Sequence, residues 1–496
     1  MKNHKSGLIA TLVLLVAISF SAFAQAPLSN TMPAKGVLGT TDFVTNTNYA
    51  TPSTITLAEP ASVAVDPTTG KLFVADRDNR RVLRWSSAAK MVNGSAAEVV
   101  LGQPDFVTRT RNTGGLSAAT TNDPNAVYVD ANGRLWVADM TNNRILRFDN
   151  ASAKHSGDPA DGELGQPDFL TNTAGTTAGI MNTPTGIFVD GSGTLWVADK
   201  GNNRVLRFTN AAGKANGASA DGVLGQKLFT TSTAGGAGAD SLNLPWGVYV
   251  DGAGKLWVAD RMNSRILRFD NAAAKANGAG ADGVLGQADF VTGAYMTTQS
   301  GLGEPRGVFG DGLGNLYVAD EGNTRVMVYS GAAAKTNGAN ADYVIGQVDF
   351  TSHASATTAT TLNYAPSLFV DNVNNAIWIP DTYNHRVLRF DVKIGVVTSV
   401  VRDLPGQRPT AYVLSQNFPN PFNPTTTITF RLPVAGNVSL EVYDVLGRLV
   451  SVLVKGQMPA GSYQVPFNAS ALSSGMYLYR LNANGFSSVR KMLLMK

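Results

Sequence analysis

The chain has 496 residues, 44% hydrophobic and only 15% charged, with 51 glycines and no cysteine. That length allows two or more domains with a sizeable core, and the recurring apolar segments exclude a disordered chain. The formal charge of +4 falls to about +2 once Lys2 and Lys5 are set aside. No Lys/Arg cluster marks a nucleic-acid surface, and the missing cysteine excludes disulfide staples and a lipid-modified cysteine.

The first segment reads as an export signal. Lys2 and Lys5 precede an apolar run, Leu8–Phe20, and Ala22-Phe23-Ala24 supplies small residues for cleavage. The spacing predicts cleavage after Ala24 and a mature chain beginning at Gln25. The apolar run is too short to span a bilayer comfortably, and no second one follows, so the mature chain is expected to hold no transmembrane segment.

A hairpin sequence then recurs. LWVADKGNNRVLRF (Leu195–Phe208) has copies at Phe73–Trp85, Trp136–Phe148, Trp257–Phe269, Tyr317–Tyr329 and Trp378–Phe390. Their aspartates, Asp76, Asp139, Asp199, Asp260, Asp320 and Asp381, are spaced 63, 60, 61, 60 and 61 residues apart. So regular a period signals an array of one supersecondary unit. Each unit holds four strand-like pieces bounded by turn residues: P-x-G-V-x-V-D (Pro245–Asp251), L-W-V-A-D, N-x-R-[VI]-L-R-F and G-V-L-G-Q (Gly222–Gln226). Both faces of LWVA and RVLRF are largely apolar, which requires a sheet covered on both sides. Radially stacked four-stranded blades provide that cover, so the expected fold is all-β, a six-bladed β-propeller over 35–401. The sixth unit lacks its G-V-L-G-Q piece, while GVLGTTDF (Gly36–Phe43) precedes the first unit. The simplest closure places that N-terminal strand in the last blade; VVTSVV (Val396–Val401) is the competing segment.

The A-D-x-x-N-x-R-[VI] hairpin following P-x-G-V-x-V-D resembles the NHL-repeat family of six-bladed propellers. Pro380 and Val328 depart from the pattern, as does the shortened PSLFVD (Pro366–Asp371), which puts the regularity of the last two blades in question. Every copy keeps the same polar triplet: Asp76, Asn79 and Arg81; Asp139, Asn142 and Arg144; Asp199, Asn202 and Arg204; Asp260, Asn263 and Arg265; Asp320, Asn323 and Arg325; Asp381, Asn384 and Arg386. Repetition assigns them a structural role: Asp accepting turn amides, Asn taking the special turn conformation, and Arg pairing with a carboxylate. The functional alternative is a ring of charges at the channel mouth. Because strands alternate in direction, the D-x-x-N-x-R turns and the long Thr/Gly connections open on one face. Six variable loops there make a binding platform.

Catalytic and metal signals are weak. Asp190-Gly-Ser-Gly and its equivalents lack the ligand pattern of a calcium loop. His155, His353 and His385 show no ligand spacing, unlike the channel histidines of the peptidyl amidating lyases that this family resembles, so no metal or other cofactor is assigned. Glu304 and Glu321 are non-repeated carboxylates and the available candidates for a metal-dependent lyase or lactonase site.

RDLPGQRPT opens a linker, 402–411, and the grammar then changes. Alternating strands with turns about every ten residues predict a small sandwich over 412–496. This region resembles the C-terminal sorting domain of the type IX secretion system, and also the immunoglobulin-like part of flagellar hook-capping proteins. The matching residues are Pro419, Asn420, Pro421, Phe422, Asn423 and Pro424; Val442-Tyr443-Asp444 with Gly447 and Arg448; Ala460-Gly461-x-Tyr463; Gly475 and Tyr477; and Lys491-Met492-Leu493. The resemblance implies passage across an outer membrane, then release or surface attachment. The expectation is an exported binding scaffold for an extracellular protein, peptide or glycan, with the type IX machinery as the partner of its tail. RNA binding, known in intracellular NHL proteins, conflicts with the export signal and with the absence of basic stripes.

Overall fold

The computed structural model describes residues 28–392 and 409–495, apart from 424, 435, 459–460 and 470–471. The export signal, VVTSVV and most of the linker lie outside the described residues.

Six four-stranded antiparallel sheets make the propeller. Blade three shows the plan: inner strand Pro184–Val189, second strand Leu195–Asp199, third strand Arg204–Phe208 and outer strand Gly222–Leu224. The recurring hairpin therefore joins the two central strands of a blade. Both faces of the second strand are buried in every blade, as its sequence requires. Trp136, Trp196 and Trp378 lie fully buried there. The aspartate that ends the inner strand holds the tryptophan of the same blade: Asp190 Oδ2 accepts from Trp196 Nε1 at 3.0 Å, while Asp190 Oδ1 caps the turn amides of Ser192 and Thr194. Both oxygens are thus used within the hairpin. The shortened PSLFVD has its counterpart in short inner strands, Gly307–Gly310 in blade five and Phe369–Asp371 in blade six.

The P-x-G glycine has a packing reason. Neighbouring inner strands nearly touch around the axis, and a Cβ on Gly186 would stand 2.3 Å from the Trp246 carbonyl oxygen. A Cβ on Gly247 would meet the Arg306 carbonyl at the same distance. Any side chain there would force the strands apart.

Closure is by the N-terminal strand. Gly36–Leu38 pairs antiparallel with Arg386–Asp391 and forms the outer edge of blade six. A second tie accompanies it. On the face opposite the recurring hairpins, a side chain from each blade accepts from an outer-strand amide of the preceding blade, as Asn216 Oδ1 does from Glu163 N and Asn277 Oδ1 from Val223 N. Asn30 does the same for Val344 N at 3.0 Å, so the N-terminal segment supplies both the last strand and the last tie.

The middle residue of the outer strand is Val37, Val100, Val223, Val284 or Val344 in five blades and Glu163 in blade two. Glu163 is 3% exposed, and neither carboxylate oxygen has a hydrogen-bond partner among the described residues. Burial, opposed by Arg144 at 3.5 Å, pushes its carboxyl up to about 7.

The C-terminal region is an immunoglobulin-like sandwich. A three-stranded sheet, Val413–Leu414, Thr425–Leu432 and Gly461–Asn468, faces a four-stranded one containing Gly436–Asp444 and Gly475–Ala483. Ile428, Phe430, Leu440, Val465 and Leu481 from both sheets fill its core.

Candidate functional site

The repeated triplets sit inside the blades. In blade three, Asp199 Oδ1 accepts the amide of Asn182 at 2.7 Å. Asp199 Oδ2 accepts from Asn202 Nδ2 at 2.8 Å and from Arg204 Nε at 2.7 Å. The far end of Arg204 donates to the carbonyls of Thr177 and Ile180 in the connection entering the blade, and to Phe229 in the connection leaving it. The five other Asp–Arg pairs repeat the contact at 2.7–3.1 Å, all with fully buried side chains. Asp76, Asn79 and Arg81; Asp139, Asn142 and Arg144; Asp260, Asn263 and Arg265; Asp320, Asn323 and Arg325; and Asp381, Asn384 and Arg386 therefore tie two loops to a hairpin. They do not form a ring of charges at the mouth. One expectation is corrected. The special left-handed conformation belongs to the residue after the Asn, namely Arg80, Asn143, Asn203, Ser264, Thr324 or His385. The Asn closes a single 3-10 turn and spends its amide on the Asp.

That next residue reaches the neighbouring blade. Asn143 Oδ1 accepts Thr183 N at 2.7 Å and Asn203 Oδ1 accepts Leu244 N at 2.8 Å. His385 Nδ1 does the same for Glu59 N at 3.1 Å across the closing seam, and burial keeps this imidazole below its ordinary range. His155 is exposed beside Asp158, and His353 offers its backbone carbonyl to Thr324. The three histidines thus do separate work and share no site. Among the described residues, no group of three or more His, Asp or Glu side chains is placed to hold a metal.

The non-repeated residues do converge. Three positions of the unit bring residues of different blades together on the hairpin side: the residue before the inner-strand Pro, the residue after it, and the residue after the hairpin Asp. They contribute Glu59, Asp123 and Glu304, then Trp246 and Arg306, then Arg77, Lys200, Arg261 and Glu321. Arg77 pairs with Glu59 and stands 3.9 Å from Asp123. Arg261 pairs with Glu304 and lies 3.9 Å from Glu321, which holds Arg306 at 2.7 Å. Glu304 and Glu321 are thus brought to one place, but guanidinia engage both. Burial lifts the Glu321 carboxyl above its ordinary range and lowers the Arg306 guanidinium.

Arg306 also stacks on Trp246, 3.9 Å from its ring centre, and reaches the Tyr364 ring at 4.8 Å. Lys200 Nζ lies 5.0 Å from the Trp246 ring, beside Met140 Sδ, and makes no ion pair with a described carboxylate. Burial first, then the Arg306 charge, depresses its ammonium. Below this mouth the inner strands line a cavity of about 60 Å³. Its far end is closed by packed rings: Phe188 meets Tyr128 at 4.7 Å and Tyr249 at 5.1 Å, and Phe309 meets Tyr249 at 5.1 Å and Phe369 at 5.0 Å. The packed rings leave the hairpin face as the open end of the axis. Arg77, Lys200, Trp246 and Arg306 escaped sequence reasoning. The available signal was their variation at fixed offsets from the repeated Pro and Asp.

In the sandwich, the sorting-motif residues bind the end of the chain. Phe422 is buried, its amide donates to the Leu493 carbonyl at 3.0 Å, and its own carbonyl accepts from Met495 N at 3.0 Å. Asn420 Oδ1 accepts Leu493 N at 2.8 Å, and the peptide bonds before Pro419 and Pro421 are cis. Pro419, Pro421, Phe422, Asn423 and Met495 border a shallow surface cavity, and Pro424 lies outside the described residues. Gly447 takes a φ of 77° in the Asp444–Arg448 turn, where Arg448 Nε holds Asp444 Oδ2 at 2.7 Å. Gly475 opens the strand that carries Tyr477, whose hydroxyl donates to the Ser473 carbonyl, and the carbonyl of exposed Lys491 accepts from Gln416.

Residues 416–495 match the family model described as the secretion system C-terminal sorting domain. Residues 121–148, 181–208 and 242–269 match the NHL repeat. Among solved structures, a streptogramin B lyase aligns at 13% identity and a TM-score of 0.40, covering 69% of this chain and 95% of that one. A protein of unknown function from Bacteroides thetaiotaomicron aligns at 13% identity and a TM-score of 0.46, covering 72% and 75%. Virginiamycin B lyase from Staphylococcus aureus aligns at 13% identity and a TM-score of 0.36, covering 70% and 97%. Likeness at this level carries nothing about activity. No curated protein matches the chain. The chain carries NHL repeats within a six-bladed β-propeller and a secretion-system C-terminal sorting domain, a tail that marks a chain for the cell surface or for release.

Proposed function

We propose that this protein is an exported binding scaffold that holds an extracellular ligand over the channel mouth on the hairpin face. Cleavage after Ala24, a propeller over 35–401, a linker over 402–411 and type IX handling of 412–496 complete the reading. The observation that carries it is the division of labour among polar residues. The repeated ones are buried and spent on loops, whereas the non-repeated ones gather charge and aromatic surface where the axis opens. Rigid blades beneath variable loops favour binding with little rearrangement. A metal-dependent lyase or lactonase would draw on Glu304 and Glu321, whose pairing with Arg261 and Arg306 leaves the binding reading the better supported.

The test is a binding screen of the full chain against surface glycans and extracellular proteins. Each hit is repeated with a Lys200→Ala/Arg261→Ala variant. The expected result is lost binding with an unchanged unfolding midpoint. Full binding by the variant to every hit would remove the mouth as the site.

A further inference from the structure

The mouth is more than a mixture of charges. Lys200, Trp246, Arg306, Tyr364 and Tyr383 form a continuous row across blades three to six, with successive separations of 5.0, 3.9, 4.8 and 4.2 Å. Its two ends differ. At one end Tyr383 is 44% exposed and stacked on Tyr364, and Tyr49 stands 47% exposed against His385 on the same seam. At the other end Lys200 is the cation of the mouth without an ion pair among the described residues, and the Arg306, Arg261 and Arg77 guanidinia act on it electrostatically, opposed by the Asp123 carboxylate. A second unsatisfied donor lies nearby in the channel wall. Asn125 is 3% exposed, lines the cavity, and its Nδ2 has no partner among the described residues.

Resting on the mouth as the binding site, we infer that the ligand is an acidic saccharide, with its carboxylate at Lys200 and its sugar rings along the tyrosine end of the row. The carboxylate supplies a contacting ion-pair partner for Lys200 and an acceptor for Asn125. The tyrosines offer flat, electron-rich faces to the polarised C–H face of a pyranose. The paired Arg and Glu side chains flanking the row present donor and acceptor together, which suits a sugar hydroxyl, itself both donor and acceptor. An acidic peptide would use Lys200 but would gain little from an exposed tyrosine pair.

The experiment is calorimetric titration of the full chain with galacturonate, glucuronate and mannuronate oligosaccharides. Neutral maltotriose and poly-aspartate serve as comparison probes. At least one uronate oligosaccharide should bind, more weakly as salt is raised. Lys200→Met should weaken it about tenfold or more, with Lys200→Arg restoring most of the loss, and Tyr383→Ala should weaken it several-fold. Binding unchanged by Lys200→Met overturns the inference. So does poly-aspartate binding that matches the uronates and ignores Tyr383→Ala, which would indicate an acidic peptide. If no uronate binds while a screened ligand still depends on the mouth, the saccharide inference falls and the scaffold reading stands.

Discussion

Replacing Glu163 by the valine of the other five outer strands tests how firmly the repeat dictates its own composition. An unfolded glutamate ionises near 4.5, whereas burial holds the native carboxyl protonated up to about 7. Between those values the native state binds the proton more tightly than the unfolded state does. Ionisation of the residue therefore costs nothing below the lower value, costs progressively more as pH rises, and reaches its full penalty above the upper one. At about 1.4 kcal/mol per pH unit the separation amounts to ~3 kcal/mol. Arg144 is already counted in that balance and does not rescue the carboxylate, because its 3.5 Å contact is an ion pair without a hydrogen bond. The assay is guanidinium denaturation of the wild-type chain and Glu163→Val at pH 5 and pH 8, read on the propeller tryptophans. The variant should gain about 2.5 kcal/mol more at pH 8 than at pH 5, where a small part of the penalty is already present. A gain equal at both values would refute the reasoning, since it would place the native carboxyl at its ordinary pKa and assign any effect to packing alone.

Three further outcomes follow from the blade interiors, the surface and the seam. Arg204→Met strands the Asp199 carboxylate in a fully buried position and frees two loops, so the denaturation midpoint should fall by an amount equivalent to ~3–5 kcal/mol. Lys214→Met, which breaks the partly exposed pair with Asp221, should cost less than about 1 kcal/mol in the same measurement. Val37→Asp places a charge in the buried closing strand. It should open the ring at the seam, read as amide exchange of Arg386–Asp391 rising well above that of Arg204–Phe208. Equal protection of both strands would show that the seam is not the weak point.

The scaffold was legible because it is written six times. Period, strand pieces and two-sided apolar faces gave the blades, and the orphaned G-V-L-G piece gave the closure. The misplaced element was one residue wide: Asn is common in left-handed turns, but here it is the preceding position of the 3-10 turn, and the residue that follows bears the positive φ whatever its type. The mouth was half legible. Glu304 and Glu321 stood out as unrepeated, but their meaning depends on Arg261 and Arg306, which lie on different blades, and no spacing along the chain encodes a contact across the axis. Trp246 occupies a position where every blade carries a different residue, and Lys200 one where only Arg recurs, in blades one and four. A reading tuned to repetition passes over them for that reason.

The N-terminal strand also sets an order of events. Gly36–Leu38 precedes all six recurring hairpins, but its partner Arg386–Asp391 comes at the end of the propeller. A loop of that length must close before the ring exists, and such long-range pairings form late. Five blades can assemble as the chain lengthens, while the sixth waits for both ends to be present. The leading segment therefore remains unpaired throughout synthesis of the ring, and a chain passed outward from its N-terminus completes its fold only after its last blade has arrived.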